Sequence, residues 1–461
     1  MNDNDEIFRR LYLAGAAIGT INGNNTHSGN LSMRDTEDPD TFYITSSGSQ
    51  CGALIPRDIV PLSFTGVRWG DARASTESTI HRRVLNLEGI NSVIHAHFYN
   101  TTMVSFDTKE KELFLEYLGV DEKGREEFLF NPVDLYGRSA LGRVHIGTYL
   151  QPVGSAEMEE RIPVYLKEDK ITVVRGHGSF VRAGSPEEAL HLIGVMETSS
   201  GIAIHLRRRG VELKSVLREF RKSPAARPVH GFNEIDFARA DVSDETVIAD
   251  FKQRLIYNFN NSLGAFGTGS MSQKISAAEM IYCPMAAAAE GYEIPLYRLS
   301  LEPEQDDDLD LMLHKLIYRH THQNTCMITV SPLAVAEGMA VMAEQYGEEG
   351  LISGRGVEYG GQGHPVIKPI DAEAIYLNPR VGLVDMSTLA DESSRNPLLN
   401  MLRWHKGCCV AAGFGVISTG ETTLEQAAHN AASVERIARF RAEVFINEKI
   451  LDGPAVGGFE P

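Results

Sequence analysis

Val93-Ile94-His95-Ala96-His97 places two histidines two positions apart behind an apolar run. On a β-strand alternate side chains share a face, so both imidazoles point the same way and can offer nitrogens to one metal. Ile171-Thr172-Val173-Val174-Arg175-Gly176-His177-Gly178 is a second strand-like run, ending in a histidine whose flanking glycines let a backbone approach closely. Three histidines with an open fourth position describe a catalytic metal site. Histidines in β-rich proteins are also often hydrogen-bonded core or surface groups, so the pair by itself leaves both readings open.

Metal-assisted carbonyl chemistry needs a proton acceptor beside the ion. Ala74-Ser75-Thr76-Glu77 precedes a helical stretch containing Ile80, Val84, Leu85 and Leu87. Ser75 or Thr76 would be its N-cap and Glu77 would lie in the first turn, where the helix dipole favours a carboxylate. Glu77 is then either a capping acid or the general base. His81, one turn on, reads as a packed or exposed helix residue rather than a ligand. Two polar loops, 26–34 and 45–49, gather hydroxyls, the Asn30 amide and glycine N–H groups. Such a neighbourhood suits a phosphate or other oxyanion, although similar turns are common.

The elements that must position these groups fill a chain of 461 residues, long enough for two or three domains. With 43% hydrophobic and 23% charged residues it has the composition of a soluble globular protein. No span reads as a membrane helix, and the acidic opening Met1-Asn2-Asp3-Asn4-Asp5 is unlike a signal peptide. The expected location is the cytoplasm, with no membrane partner. Five cysteines, two of them adjacent and none in a CxxC pair, argue against a disulfide framework or a zinc ribbon. A net charge of −18 disfavours nucleic acid and leaves a small-molecule substrate as the expected partner. The basic run 207–227 reads as a solvated helix face and linker.

Apolar spacing predicts an opening helix over 6–20, a short strand over 42–44, a helix over 99–117, a charged loop over 121–131 and a helix over 185–206. The two halves also echo one another. Gly269-Ser270-Met271-Ser272 matches Gly29-Asn30-Leu31-Ser32, the run 325–331 matches 91–97, and Gly413-Phe414-Gly415 matches Gly176-His177-Gly178. The offsets of 240, 234 and 237 residues are nearly constant, as in a duplicated domain. Thr329, Ser331 and Phe414 stand where the three histidines stood, so the second copy cannot hold a metal in the same way. Asp310 falls near the equivalent of Glu77, within an acidic run (Glu302, Glu304, Asp306, Asp307, Asp308) that reads as a solvated loop. The expected division is a catalytic domain over 1–210, a basic linker over 211–235 and a degenerate domain over 236–461.

The first half resembles the class II aldolase/adducin family in an ordered set of segments: SGNLSMR (28–34), ITSSGS (44–49), STE (75–77) with His81, VIHAH (93–97), GTYLQPVGSAEM (147–158) and VRGHG (174–178). The resemblance implies an α/β fold of two tandem α/β/α domains, each around a central, mostly antiparallel sheet. It implies that His95, His97 and His177 bind a divalent metal, usually zinc, with manganese, cobalt or iron as alternatives, and that Glu77 is the catalytic acid/base. Asn30, Ser47, Gly48, Ser75 and Thr76 match the positions that hold a substrate phosphate; Thr76 replaces an expected serine, and the lead-in Gly70-Asp71-Ala72-Arg73 is atypical. Tyr149 is the candidate proton donor by position. The implied reaction is retro-aldol or aldol chemistry on a small hydroxy-carbonyl compound through an enediolate. Epimerase, dehydratase, decarboxylase and non-haem iron oxygenase activities are alternatives on the same scaffold, and an adducin-like scaffolding role is the remaining one. Because relatives commonly form fourfold rings, a tandem chain is expected to form a homodimer that mimics the ring.

Overall fold

The computed structural model describes residues 3–20, 28–65, 73–222, 244–260, 268–284, 296–360, 363–389 and 395–448. The start of the polar loop at Thr26-His27, the lead-in Gly70-Asp71-Ala72 and the linker from residue 223 onward lie outside the described residues.

The first half begins with α1 (Asp3–Thr20), β1 (Asn30–Arg34), β2 (Thr41–Thr45), β3 (Ile59–Ser63), α2 (Ser78–Leu85), β4 (Ser92–Ala96) and α3 (Tyr99–Val104). It continues with β5 (Leu115–Val120), β6 (Glu126–Phe130), α4 (Leu135–Ala140), β7 (Val144–Gly147), α5 (Ala156–Glu168), β8 (Ile171–Val174), β9 (Gly178–Ala183), α6 (Pro186–Arg208) and α7 (Leu213–Phe220). Its strands form one sheet in the order β3-β2-β1-β4-β9-β8-β7-β6-β5. Every neighbouring pair is antiparallel except β7 and β8. Helices α2 and α5 cover one face over a core that includes Ile80, Val84, Met158, Ile162 and Phe180. The other face carries α1 and α6.

Helix α6 starts where its sequence says it should. The Ser185 hydroxyl accepts from the Glu188 N–H, Pro186 fills the first helical position, and two glutamates face the N-terminal dipole. The helix is long and apolar enough to cross a membrane by composition, but 94% of its apolar window is buried inside the fold, so it is the core helix.

The second half repeats the plan with α8 (Glu245–Asn260), β10 (Ser270–Lys274), β11 (Glu279–Pro284), β12 (Tyr297–Ser300), α9 (Leu309–His320), β13 (Thr325–Thr329) and α10 (Pro332–Ser353). Then follow β14 (Val366–Ile367), α11 (Ala372–Leu377), β15 (Val381–Val384), α12 (Asn396–Trp404), β16 (Cys408–Ala411), β17 (Gly415–Gly420) and α13 (Leu424–Glu448). Its sheet runs β12-β11-β10-β13-β17-β16-β15-β14, and β15 with β16 is again the parallel pair. The duplication extends to register. Leu129 pairs with His145 and Phe130 with Val144 in the first sheet, Val366 with Gly382 and Ile367 with Val381 in the second, each shifted by 237 residues. The chain is thus two tandem α/β/α sandwiches around mostly antiparallel sheets.

Two expectations fail locally. The helix expected over 99–117 stops at Val104, because the Asp107 carboxylate accepts from the N–H groups of Phe114 and Leu115 and turns the chain into β5. The loop expected over 121–131 is a hairpin, with a turn at 121–125 delivering β6. In addition, the span expected as a linker opens with α7, whose Leu213, Val216 and Phe220 are buried. All five cysteines are buried and unbridged.

Each domain buries a histidine on the helix that faces its first strand. His81 lies on α2 with Nδ1 2.7 Å from the Ser32 hydroxyl, and His314 lies on α9 with Nδ1 2.6 Å from the Ser272 hydroxyl. Burial pushes their pKa values down to about 4 and about 3. Both stay neutral in the fold, whereas the unfolded chain protonates near the ordinary histidine value. Their contribution to stability is complete above pH 6.5 and is lost as the pH falls from there toward 4 and 3, by about 1.4 kcal/mol per pH unit for each group. Urea unfolding at pH 7.5 and pH 5.0 should therefore give a clearly lower midpoint at pH 5.0; equal midpoints would contradict neutral burial.

Candidate active site

His95 is the penultimate residue of β4, and His97 follows the strand's end, so the pleat turns both rings to the same side. His177 stands in the tight turn between β8 and β9, where its N–H donates to the Val174 carbonyl and Gly176 adopts φ +70°. A Cβ at Gly178 would lie 2.5 Å from the Ala96 carbonyl oxygen, so only glycine lets this turn close on the end of β4. The result is that ligand nitrogens of His95, His97 and His177 lie within 4.8 Å of one another.

The ring orientations are fixed from behind. His95 stacks on Phe180 with centroids 3.9 Å apart, and its Nδ1 is 2.8 Å from the Ser179 carbonyl oxygen. The carbonyl can only accept, so Nδ1 carries the proton and Nε2 presents its lone pair to the cluster. Nε2 of His97 faces it at 2.7 Å. Burial, then the neighbouring imidazoles, holds His95 well below the usual histidine range and brings His97 down to about 3; burial also lowers His177. Neutral imidazoles converging on one point suit a divalent cation, and among the described residues this is the one such cluster of three.

Glu77 makes no side-chain cap in the fold. It is itself the N-cap residue of α2, yet its side chain makes no capping hydrogen bond. Instead Oε2 accepts from the Asn30 amide at 2.8 Å and lies 3.5 Å from His95 Nε2, while Oε1 has no hydrogen-bond partner among the described residues. Asn30 is placed by the β1–β4 register, opposite His95. The carboxylate is 96% buried, held by one oxygen and open at the other. That disposition leaves one oxygen free to exchange a proton.

The two polar loops also meet. Ser46 bridges Ala74, and the Ser47 N–H donates to the Arg73 carbonyl at 2.9 Å, so the Ser47-Gly48 turn lies alongside the segment that leads through Ser75 and Thr76 to Glu77. Ser47, Gly48 and Thr76 are exposed there, and Ser75 is buried beneath, its hydroxyl accepting from the Glu77 N–H. Tyr149 is placed differently. Its ring lies in the α2/α5 core beside Gly147, 4.5 Å from the Arg161 guanidinium, and its buried hydroxyl has no hydrogen-bond partner among the described residues.

In the second domain, Thr329, Ser331 and Phe414 occupy the histidine positions, but the neighbouring polar set persists. Asp310 is not in a solvated loop. Asp308 caps α9 and Asp307 pairs with buried Lys315, which draws Asp310 into the first turn of the helix, 3% exposed. It accepts from the Ser270 hydroxyl at 2.9 Å, as Glu77 accepts from Asn30. No sequence motif marks the residue that fills this place. Tyr136, on α4 of the first domain, stacks on Phe414, donates to Asp310 at 2.6 Å and accepts from the Gly269 N–H at 3.0 Å. The Leu135 N–H donates to the Gly413 carbonyl beside it. The shared spacing of Glu77 to His81 and Asp310 to His314 is the signal that marks Asp310; nothing local marks Tyr136. Burial and the Asp310 charge hold the Tyr136 phenol far above its usual range, so it remains a donor. Tyr136→Phe should lower stability by about 1–3 kcal/mol by leaving a buried carboxylate short of a partner. Thermal unfolding checks this, with unchanged metal content as the control.

A sequence comparison matches residues 9–204 and 266–442 to the family described as Class II Aldolase and Adducin N-terminal domain. A methylthioribulose-1-phosphate dehydratase from Microcystis aeruginosa is 28% identical over 195 residues, which is 41% of this chain and 87% of that protein. Another of that name from an Exiguobacterium species is 24% identical over 194 residues, 40% of this chain and 86% of that protein. Among solved structures, L-fuculose-1-phosphate aldolase from Thermus thermophilus aligns with 48% of this chain and 99% of its own, at 22% identity and a TM-score of 0.37.

Proposed function

Since the chain belongs, twice over, to the family of class II aldolase and adducin N-terminal domains, we propose that its first domain is a divalent-metal-dependent lyase acting on a small, phosphorylated hydroxy-carbonyl compound. The observation that carries this reading is Glu77, with one oxygen held by Asn30 and the other open, 3.5 Å from a nitrogen of a three-imidazole cluster. His95, His97 and His177 would hold the ion, which we take to be zinc; manganese, cobalt and iron(II) are others that imidazoles accept. What the ion supplies is Lewis acidity toward adjacent carbonyl and hydroxyl oxygens.

The chain's own groups do the rest. Ser47, Gly48, Ser75 and Thr76 bind the phosphate away from the reacting carbons and so fix their position. In the cleavage direction the β-hydroxyl passes its proton to the Glu77 carboxylate, the bond between the α and β carbons breaks, and its electron pair passes into the carbonyl as an enediolate. Glu77 then delivers that proton to the α carbon. Its burial keeps water from competing for that step. A second reading, dehydration, is favoured by the names of the curated relatives. There Glu77 removes the α proton and passes it to the β-hydroxyl, which leaves as water as the double bond forms. The second domain, with Thr329, Ser331 and Phe414 at the ligand positions and Tyr136 seated over Asp310, is proposed to be non-catalytic.

Both reactions predict exchange of the α proton with solvent. Proton NMR in D2O, with zinc-, manganese-, cobalt- or iron-loaded protein and a panel of phosphorylated ketoses and aldoses, separates them. Cleavage yields two carbonyl fragments, and dehydration yields one product short of water. Neither exchange nor turnover with any member and any metal would sink the proposal.

A further inference from the structure

The second domain brings a pair of imidazoles of its own together, away from the positions that repeat the metal cluster. His364 stands two residues before β14, and His405 closes the C-terminal end of α12, its N–H donating to the Met401 carbonyl. Their Nε2 atoms lie 2.8 Å apart with ring centroids at 5.0 Å, close to the 2.7 Å and 4.6 Å that separate His97 from His95. His405 is also held from behind as His95 is. Its Nδ1 lies 3.1 Å from the Arg380 carbonyl oxygen, which can only accept, so Nδ1 carries the proton and Nε2 turns its lone pair toward His364. A Cβ at Gly382 on β15 would lie 2.8 Å from His405 Cδ2, so a glycine in the strand is what lets this ring lie against it. His405 is 8% exposed and His364 is half-buried, with the Trp404 ring beside it at a centroid distance of 5.5 Å. Burial, then the neighbouring imidazole, holds His405 below the usual histidine range, so it is a neutral ligand at pH 7.

The pair is not part of the repeated plan. At the constant offset of 237 residues, His364, His405 and Gly382 stand where the first domain has Glu127, Glu168 and His145. There Glu127 is taken up by Tyr165 and Arg161, and Glu168 faces solvent. All three positions differ together: the two imidazoles occur in the copy that has the glycine to seat one of them.

We propose that His364 and His405 chelate a divalent transition cation, nickel(II), copper(II) or zinc(II), whose remaining positions are filled by water. Neutral imidazole nitrogens suit these ions, whereas magnesium and calcium take oxygen ligands. In the ion-free fold the His364 Nε2–H donates to His405 Nε2. When an ion enters between them, that proton moves through water to Nδ1 of the half-buried His364, and both Nε2 lone pairs go to the metal with no net gain or loss of protons. Bonds of roughly 2.0–2.1 Å to a tetrahedral ion set the two nitrogens about 3.3–3.4 Å apart, so the rings part by only about half an ångström. Among the described residues no third side-chain ligand joins the pair, so it holds its ion more weakly than the three-imidazole cluster and gives it up when excess metal is removed. The bound ion ties the approach to β14 to the end of α12. The site is independent of the lyase reading of the first domain.

Equilibrium dialysis of the zinc-loaded full chain against nickel(II) tests this. Wild type should take up about one nickel per chain beyond its zinc, and its melting temperature should rise with nickel. His364→Ala, at a half-buried position outside the strands and helices, should keep its zinc and the melting temperature of nickel-free wild type, yet bind nickel about tenfold more weakly or worse. Nickel held instead by exposed groups such as His320 and His322 would survive this substitution. Trp404 reports where the ion sits. In a Trp69→Phe chain it is the one tryptophan left, and paramagnetic copper(II) on His364 should quench its emission, with the quenching lost in Trp69→Phe/His364→Ala. No nickel uptake beyond the zinc, uptake undiminished by His364→Ala, or Trp404 emission that copper leaves unchanged overturns the proposal.

Discussion

Glu77→Gln should reduce turnover by a factor on the order of 10²–10⁴, the range lost with a positioned general acid/base, and leave the metal bound. The amide oxygen of glutamine can still accept from Asn30 Nδ2, which holds the wild-type carboxylate at 2.8 Å, so the local packing is preserved. What disappears is the capacity to take up and return a proton beside His95. Because Glu77 is 96% buried, solvent is a poor substitute. Kinetics with elemental mass spectrometry of the same preparation check both halves. Wild-type turnover in the variant, or loss of metal together with turnover, would contradict a purely proton-carrying role.

His97→Ala should remove both metal and activity. Two imidazoles remain, and the lost Lewis-acid stabilisation amounts to several kcal/mol, a fall in turnover on the order of 10³ or more. The contrasting experiment is in the second domain. Thr329→Ala and Ser331→Ala alter the positions equivalent to His95 and His97 and should leave metal content unchanged, because among the described residues only the first domain gathers three ligand side chains. Equal metal loss from substitutions in both domains would mean that the duplication retains a second site.

The convergence of the three imidazoles is legible in the sequence because its geometry is local. A two-residue spacing on a strand fixes the direction of His95 and His97, and the glycines around His177 declare a tight turn. Glu77 is legible as a residue but its side-chain direction is not, since a helix start suits a capping acid and a base alike. That direction is set by Asn30, 47 residues earlier, through the pairing of β1 with β4. The end of α3 was hidden for a similar reason. The stretch beyond Val104 keeps an apolar spacing that a helix could bury, and only the Asp107 side chain, bonded to two N–H groups seven and eight residues ahead, turns it into a strand. Asp310 reads from the sequence as solvent-facing because an acidic run ordinarily marks solvent. Here its donors are Ser270 and Tyr136, the latter 174 residues away in the other domain. Residues whose partners arrive through the tertiary fold carry no local signature.

X-ray absorption spectroscopy of the zinc-loaded protein, with excess metal removed, tests the central claim most directly. The account predicts about one zinc per chain, coordinated by three imidazole nitrogens at roughly 2.0–2.1 Å with lighter-atom scattering in the remaining position. Substoichiometric zinc, or a shell that contains sulfur from any of the five buried cysteines, would contradict it.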